Sequence, residues 1–379
     1  MAKPRIVSVV GTRPDAIKSA PVILELRKYS EVVDTTVIAT GQHREMLAQA
    51  LLAFGLKPDI DLDIMQHGQS LAQVTTRSLE GLDKAFEELK PDYAIAQGDT
   101  TTTFVAALCS FYRSVPFGHV EAGLRTPTIH DPFPEEFNRR AAALVTTQHF
   151  APTQWAAKNL LREGYKRESI FVTGNTGIDA VLATASQVDS EWYEEHPGRL
   201  VVLTTHRREN WGEPQQRIAR AARQLIDSYD DLLLVVPMHR NPQVRETLTA
   251  ILGNHERIKL IEPPDYGPFV KLMQRATLIL SDSGGVQEEA PAFGKPVLVL
   301  RETTERPEGV DAGTAKLVGT DTQLIVAEAA KLLSNKSAYA QMAQAVSPYG
   351  DGLAAERIRC VILQYLGLPS QSMPMWASS

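Results

Sequence analysis

The chain has 379 residues, 43% hydrophobic and 22% charged, with 39 Lys and Arg against 45 Asp and Glu for a net charge of -6. That length predicts two domains, and the ordinary apolar content excludes a disordered or collagen-like chain. The acidic balance carries no sequence-wide basic footprint for nucleic acid, whereas a small anionic ligand needs only a local cluster of cations.

Taken in chain order, short apolar runs predict strands at Ile6–Val10, Thr36–Thr40, Tyr93–Ala96, Pro116–Val120 and His149–Ala151 in the first half. In the second half they fall at Leu200–Thr204, Leu232–Val236, Ile258–Ile261, Leu278–Ser281 and Val297–Leu300. Segments such as Val74–Leu89 and Gln215–Asp227 carry apolar residues at helical spacing between them. Near-continuous apolar strands alternating with helices predict parallel sheets covered on both faces. The expected class is therefore α/β, with two Rossmann-like domains at 1–174 and 175–366 facing across a cleft. A polar stretch, Gln187–Pro197, reads as helical, and the pattern leaves open which half the last helix, Gly352–Leu366, joins. The tail 367–379 is rich in turn formers and predicted to fray.

Cys109 and Cys360 stand far apart without a CxxC or His-Cys cluster, so they read as two thiols of a reducing cytoplasm, and no metal site is expected. The short apolar run near the N-terminus does not read as a signal-peptide core, and no apolar stretch approaches ~18 residues, so no membrane partner is expected.

Ligands of open α/β sheets bind outside the carboxyl ends of strands, which directs attention to the segments that follow them. Gly11-Thr12-Arg13-Pro14-Asp15-Ala16-Ile17-Lys18 is neither a Walker loop nor GxGxxG, yet it sets Arg13 and Lys18 near a helix N-terminus that favours anions. Asp99, after Tyr93–Ala96, reads equally as a reactive carboxylate or as the N-cap of the next helix. Glu121 lies between a strand and a glycine turn, and Glu135 opens a helix after two prolines. Three carboxylates within 40 residues suit proton transfer, because neighbouring charges push their pKa values apart. In the second half, His206-Arg207-Arg208 makes a cationic loop, and His239 repeats the arrangement one strand on. Ser283-Gly284-Gly285 opens a helix whose bare N–H groups suit a diphosphate, with a glutamate placed to accept from a ribose diol.

Together the motifs around Gly11–Lys18, His119–Arg125, Pro134–Glu136, Thr205–Asn210 and Ser283–Glu289 closely resemble the bacterial non-hydrolysing UDP-N-acetylglucosamine 2-epimerases, over about residues 5 to 365. The resemblance implies a glycosyltransferase-B-type fold, a homodimer, a UDP-sugar substrate and chemistry without a metal or redox cofactor. It implies Asp99, Glu121, Glu135 and His206 as catalytic residues. Arg13, Ser283, Gly284, Gly285 and Glu289 would bind UDP, with Glu289 on the ribose and Lys18 in support. A regulatory UDP-GlcNAc site would use Gln42, His43, Gln69, Glu136, Arg207 and His239. Two positions depart from the family pattern: Asp15 stands where glutamate is usual, and Gly68 where some members carry arginine. A glycosyltransferase of the same fold is disfavoured by Ser281, where retaining members often have glutamate. The hydrolysing 2-epimerases are disfavoured by Pro14 and Lys18, and a nucleotide-sugar sensor by the complete carboxylate set.

Overall fold

The computed structural model describes residues 3–41, 44–64, 66 and 68–377, the side chains of 44–46 excepted. Among these residues, two wholly parallel sheets form. The first unit, residues 1–180 with 349–379, holds β1 (Arg5–Val10), β2 (Asp34–Ala39), β3 (Ile60–Asp61), β4 (Tyr93–Gln97), β5 (Phe117–Val120), β6 (Gln148–Ala151) and β7 (Ile170–Val172). Their spatial order is β3-β2-β1-β4-β5-β6-β7. The second unit, residues 181–348, holds β8 (Arg199–Thr204), β9 (Leu232–Pro237), β10 (Ile258–Ile261), β11 (Leu278–Ser281), β12 (Val297–Val299) and β13 (Ala315–Leu317), in the order β10-β9-β8-β11-β12-β13.

Each order reverses once, between β1 and β4 and between β8 and β11. Such a switch point opens a crevice at the carboxyl ends of its two strands, the usual ligand position in this architecture. Central strands are buried almost end to end because helices cover both faces. Val7, Val9, Ala94 and Ala96 point into one core of the first unit, and Ile6, Tyr93 and Ile95 into the other.

All ten expected strands form, and three more, β3, β7 and β13, were not expected. Each of the three lies at a sheet edge and spans only two or three residues, too few for an apolar run to stand out. Residues 188–197 are not helical: the preceding helix ends at Gln187, and Trp192 and Tyr193 turn back onto the second unit's core, with Trp192 Nε1 donating to the Pro268 carbonyl at 2.7 Å. Burial of two aromatic rings outweighs the local helical pattern.

The observed division differs from a cut at 174/175. The first unit runs on to residue 180, and the last helix, Ala354–Tyr365, returns to it. Ile358, Val361 and Ile362 pack with Ile6, Val22 and Leu26, and Asp179 accepts from the Ala354 and Ala355 N–H groups (3.3 and 2.8 Å) at the start of that helix. The described part of the tail is held rather than frayed. Trp376 N–H donates to the Val172 carbonyl at 2.8 Å, continuing from the end of β7, and Arg357 Nε donates to Pro374 at 2.9 Å. Cys109 and Cys360 are both buried free thiols. No helix among the described residues is long and apolar enough to cross a membrane.

Candidate active site

In the first unit Asp99 and Glu121 follow the ends of the neighbouring strands β4 and β5, beside the switch point. The helix Arg13–Arg27 starts directly after β1, with Thr12 as its N-cap and Asp15 completing a capping box. Gly11 is needed here for close approach: a Cβ there would stand 2.1 Å from the Thr102 hydroxyl. Asp15 is buried and accepts from Thr12 N–H and the Thr100 hydroxyl, both at 3.1 Å, so it bolts the β1 turn to the β4 turn. Burial, with Asp99 nearby adding to it, pushes the Asp15 carboxyl up to about 7 against the hydrogen bonds that lower it. The usual glutamate of this motif is thus replaced by a shorter acid that fills a structural place.

Asp99 does not cap the following helix; Thr100 does. The Asp99 carboxylate instead meets the Arg139 guanidinium (2.8 and 2.9 Å), and its carbonyl accepts from Asn138 Nδ2 at 2.9 Å. Glu121, just past β5, has φ +64°, a left-handed conformation that a non-glycine residue adopts only at a cost of about 1–3 kcal/mol. The turn directs its carboxylate to Lys18 Nζ (2.7 Å) and to Gln97 Nε2. Lys18 therefore holds the Glu121 carboxylate. Glu135 begins the helix Glu135–Val145 and its carboxylate has no hydrogen bond or ion pair among the described residues, as is also true of the Arg13 guanidinium.

His119, inside the quoted motif but given no role from sequence, is fully buried. Its Nε2 donates to the Gly98 carbonyl at 2.7 Å, which fixes the turn carrying Asp99, and burial pushes the ring down to about 4, so it is neutral. Its place on the inward face of β5 was the signal available for this role.

In the second unit the loop after β8 carries His206, and the loop after β11 carries Asp282 and Ser283. Asp282, also without a sequence-based role, is fully buried, accepts from His206 N–H (2.9 Å) and Arg207 N–H (3.0 Å), and stands 3.0 Å from the His206 Nδ1. Burial alone would raise this carboxyl, but these donors, His206 foremost, hold it below the usual range. Ser283 is the N-cap of the helix Gly284–Glu289. The two glycines differ. A Cβ on Gly284 would stand 2.7 Å from Arg306 Cζ, whereas around Gly285 nothing comes nearer than 3.9 Å. Arg306, held by Glu288 at 2.6 Å, covers the first glycine and leaves the second open. Glu289 lies beside the buried Tyr266 phenol, which burial, with Glu289 adding to it, pushes well up. A pocket of about 240 Å³ is lined by Thr205, His206, His239, Pro264, Phe269 and Ser283 among others.

The residues of the expected regulatory set are divided between the two units. Glu136 is fully buried and spent on Arg139 (2.8 Å) and Arg140 (2.7 Å) of its own helix. Gln69 uses both ends of its amide on the backbone of its own loop, at Ile64 O (2.8 Å) and Gln66 N (2.9 Å). Arg207 Nε donates to the Asp282 carbonyl at 3.2 Å, and its guanidinium reaches Glu305 at 3.7 Å. His239 has its ring 6.2 Å from that of His206 and lines the same pocket. Gln42 and His43 lie outside the described residues.

The sequence model of the UDP-N-acetylglucosamine 2-epimerase family matches residues 25–363. The chain belongs to the UDP-N-acetylglucosamine 2-epimerase family. A Bacillus subtilis UDP-N-acetylglucosamine 2-epimerase is 49% identical over 97% of each chain. A crystal structure of a UDP-N-acetylglucosamine 2-epimerase, 46% identical, superposes with a TM-score of 0.92 over 100% of both chains. The Neisseria meningitidis UDP-GlcNAc 2-epimerase bound to UDP-GlcNAc is 44% identical, with a TM-score of 0.85 over 96% of this chain and 99% of that one. Membership makes the protein an isomerase of this epimerase family, with the paired Rossmann-like units of the glycosyltransferase-B-type fold. Within that fold, Ser281, at the position where retaining transferases often carry glutamate, is buried and hydrogen-bonded to Thr204 (2.7 Å).

Proposed function

We propose that the protein interconverts UDP-N-acetylglucosamine and UDP-N-acetylmannosamine by inverting carbon 2 of the sugar without hydrolysis. The C2 proton is not acidic, so direct abstraction is slow. Expulsion of UDP removes that obstacle: the C2–H bond gives its proton to a carboxylate, a C1=C2 double bond forms, and the C1–O electron pair leaves with UDP. The resulting 2-acetamidoglucal is protonated at C2 on its other face while the UDP oxygen returns to C1. Atoms and electrons balance, so the scheme calls on no redox cofactor.

Asp99, Glu121 and Glu135 carry the protons, and Lys18 holds Glu121 in place. His206, Arg13 and the Ser283–Gly285 turn stabilise departing UDP, because donors aimed at developing charge act most strongly where water is scarce. Glu289 takes the ribose. The observation that carries this reading is the switch-point carboxylate set, in which Asp99 and Glu121 are each matched to a cation while Glu135 stands unpartnered among the described residues.

The protein acts as a homodimer in the bacterial cytoplasm and supplies surface-polysaccharide synthesis. For the dimer, support comes from the exposed Phe111 and Tyr112 on the helix Thr101–Tyr112 and Leu144 on the adjacent helix Glu135–Val145, since apolar patches of this kind mark interaction surfaces. Sedimentation analysis of the wild type against Phe111→Lys checks it, with the variant expected as monomer.

Proton NMR of UDP-GlcNAc with the purified protein in D₂O tests the reaction. UDP-ManNAc bearing deuterium at C2, with no accumulation of free ManNAc, is expected. Free ManNAc with UDP would make the enzyme a hydrolysing epimerase, and an unchanged spectrum despite binding would overturn the reading.

A further inference from the structure

Asp282 has no part in the reaction as written, yet its hydrogen bonds are arranged in a specific way. Oδ2 accepts from His206 N–H (2.9 Å), Arg207 N–H (3.0 Å), the Thr205 hydroxyl (3.1 Å) and Asn210 Nδ2 (3.0 Å). Oδ1 accepts from His206 N–H at 3.1 Å and is left to face the imidazole Nδ1 at 3.0 Å. Every other neighbour is a donor, so the carboxyl is ionised and has no proton to give. At 3.0 Å an ionised Oδ1 is a favourable neighbour for Nδ1 only when the proton is on Nδ1. The His206 side chain remains 44% exposed, which leaves Nε2 on the outward part of the ring.

We propose that Asp282 is a positioning residue that locks His206 in the Nδ1–H form, so that His206 donates from Nε2 only as the imidazolium. This rests on the reading above, in which His206 meets the departing diphosphate. A hydrogen bond from a cation to a developing phosphate charge is stronger than one from a neutral ring. Asp282 therefore ensures that donation from His206 comes with a positive charge. A carboxylate that merely organised the loop would be indifferent to the tautomer.

Asp282→Asn separates these roles. The single amide oxygen of asparagine is drawn to the four donors now on Oδ2, which turns its NH₂ toward Nδ1. The imidazole then accepts at Nδ1 and carries its proton on Nε2. Long-range ¹H–¹⁵N NMR, with His206 assigned by loss of its signal in His206→Asn, reads this directly. The neutral ring is expected as Nδ1–H in the wild type and as Nε2–H in Asp282→Asn. Turnover is expected to fall by ~10² or more in Asp282→Asn, as when a triad aspartate is lost. In the His206→Asn background the same substitution is expected to cost less than about threefold, since residues acting as a unit are not additive.

An Nε2–H neutral form in the wild type overturns the proposal, as does an equal cost of Asp282→Asn in both backgrounds. Should Asp282→Asn fail to fold, the wild-type tautomer alone decides. The tautomer is read without turnover. A protein with the Nδ1–H form that does not epimerise UDP-GlcNAc thus supports the positioning role and overturns the proposed reaction instead.

Discussion

The two switch points carry opposite charge arrangements. In the first unit several carboxylates are spread over several cations: Lys18 meets Glu121, and Arg139 bridges Asp99 and Glu136. In the second, one fully buried carboxylate, Asp282, serves a whole cationic loop. The contrast extends to two buried aspartates, one at each switch point. Asp282 has the His206 ring against it and is held below the usual carboxylate range. Asp15 receives only neutral donors and is pushed up to about 7. A buried ion is tolerated when an opposite charge and good hydrogen bonds offset its desolvation, and is protonated when they do not. Substitutions at Lys18 or Glu121 should accordingly act apart from those around Arg139, whereas the second unit's loop should respond as a block.

The largest expected effect is on turnover. Glu121→Gln keeps the size and most of the hydrogen bonding but removes the base, and should lower turnover by at least ~10² with Asp99 and Glu135 untouched. Near-normal turnover, measured as C2 epimerisation by NMR, would remove Glu121 from the proton-transfer set.

Next comes the pH dependence of stability. With Asp15 at about 7 in the native state against an ordinary 3.8, the unfolded chain loses this proton between about pH 4 and 7 while the native state keeps it. The native state then binds more protons, so the group's contribution to stability declines as pH rises through that window and is constant above it. Asp15→Asn cannot ionise, and should gain stability relative to the wild type between pH 4.5 and 7.5 by on the order of a few kcal/mol. Urea denaturation at the two pH values checks this; a constant difference would mean that Asp15 is ionised like Asp282.

The smallest effects distinguish the two glycines. Gly284→Ala forces the Arg306 guanidinium off its site and should cost about 1 kcal/mol of stability. Gly285→Ala makes only ordinary contacts, at 3.9 Å, and should leave stability equal or up to about 1 kcal/mol higher. If the open side of Gly285 receives the diphosphate, the same change should weaken UDP binding by about tenfold. Calorimetric titration with UDP alongside thermal denaturation separates the two, and equal UDP affinity in Gly285→Ala and wild type would move the phosphate site elsewhere.

Much of this was legible in the sequence for a local reason. A strand covered on both faces must be apolar along its length, so alternation of apolar runs with helical spacing specifies α/β class and marks where each strand ends. The residues just past those ends, Arg13, Asp99, Glu121, His206 and Ser283, were therefore identifiable as candidates before any strand order was known. Glu136 shows where that reasoning stops. It sits beside Glu135 in the same first turn, yet it is sealed by Arg139 and Arg140 while its neighbour is not. Adjacent helical residues point about 100° apart, and only the packing of the helix decides which side is solvent.

By itself, then, the sequence determined the class of fold, the central strands and the chemistry available at their ends. Tertiary structure alone decided the partnerships. Asp282 and His206 are 76 residues apart and meet only because β8 and β11 are neighbours, and the last helix crosses back to the first unit because Asp179 and an apolar face await it there. The edge strands, too, exist only through the pairing of backbones that their few residues could not announce. Local periodicity is written in consecutive residues, whereas strand order, burial and counter-charge depend on which distant segments the folded sheet brings together.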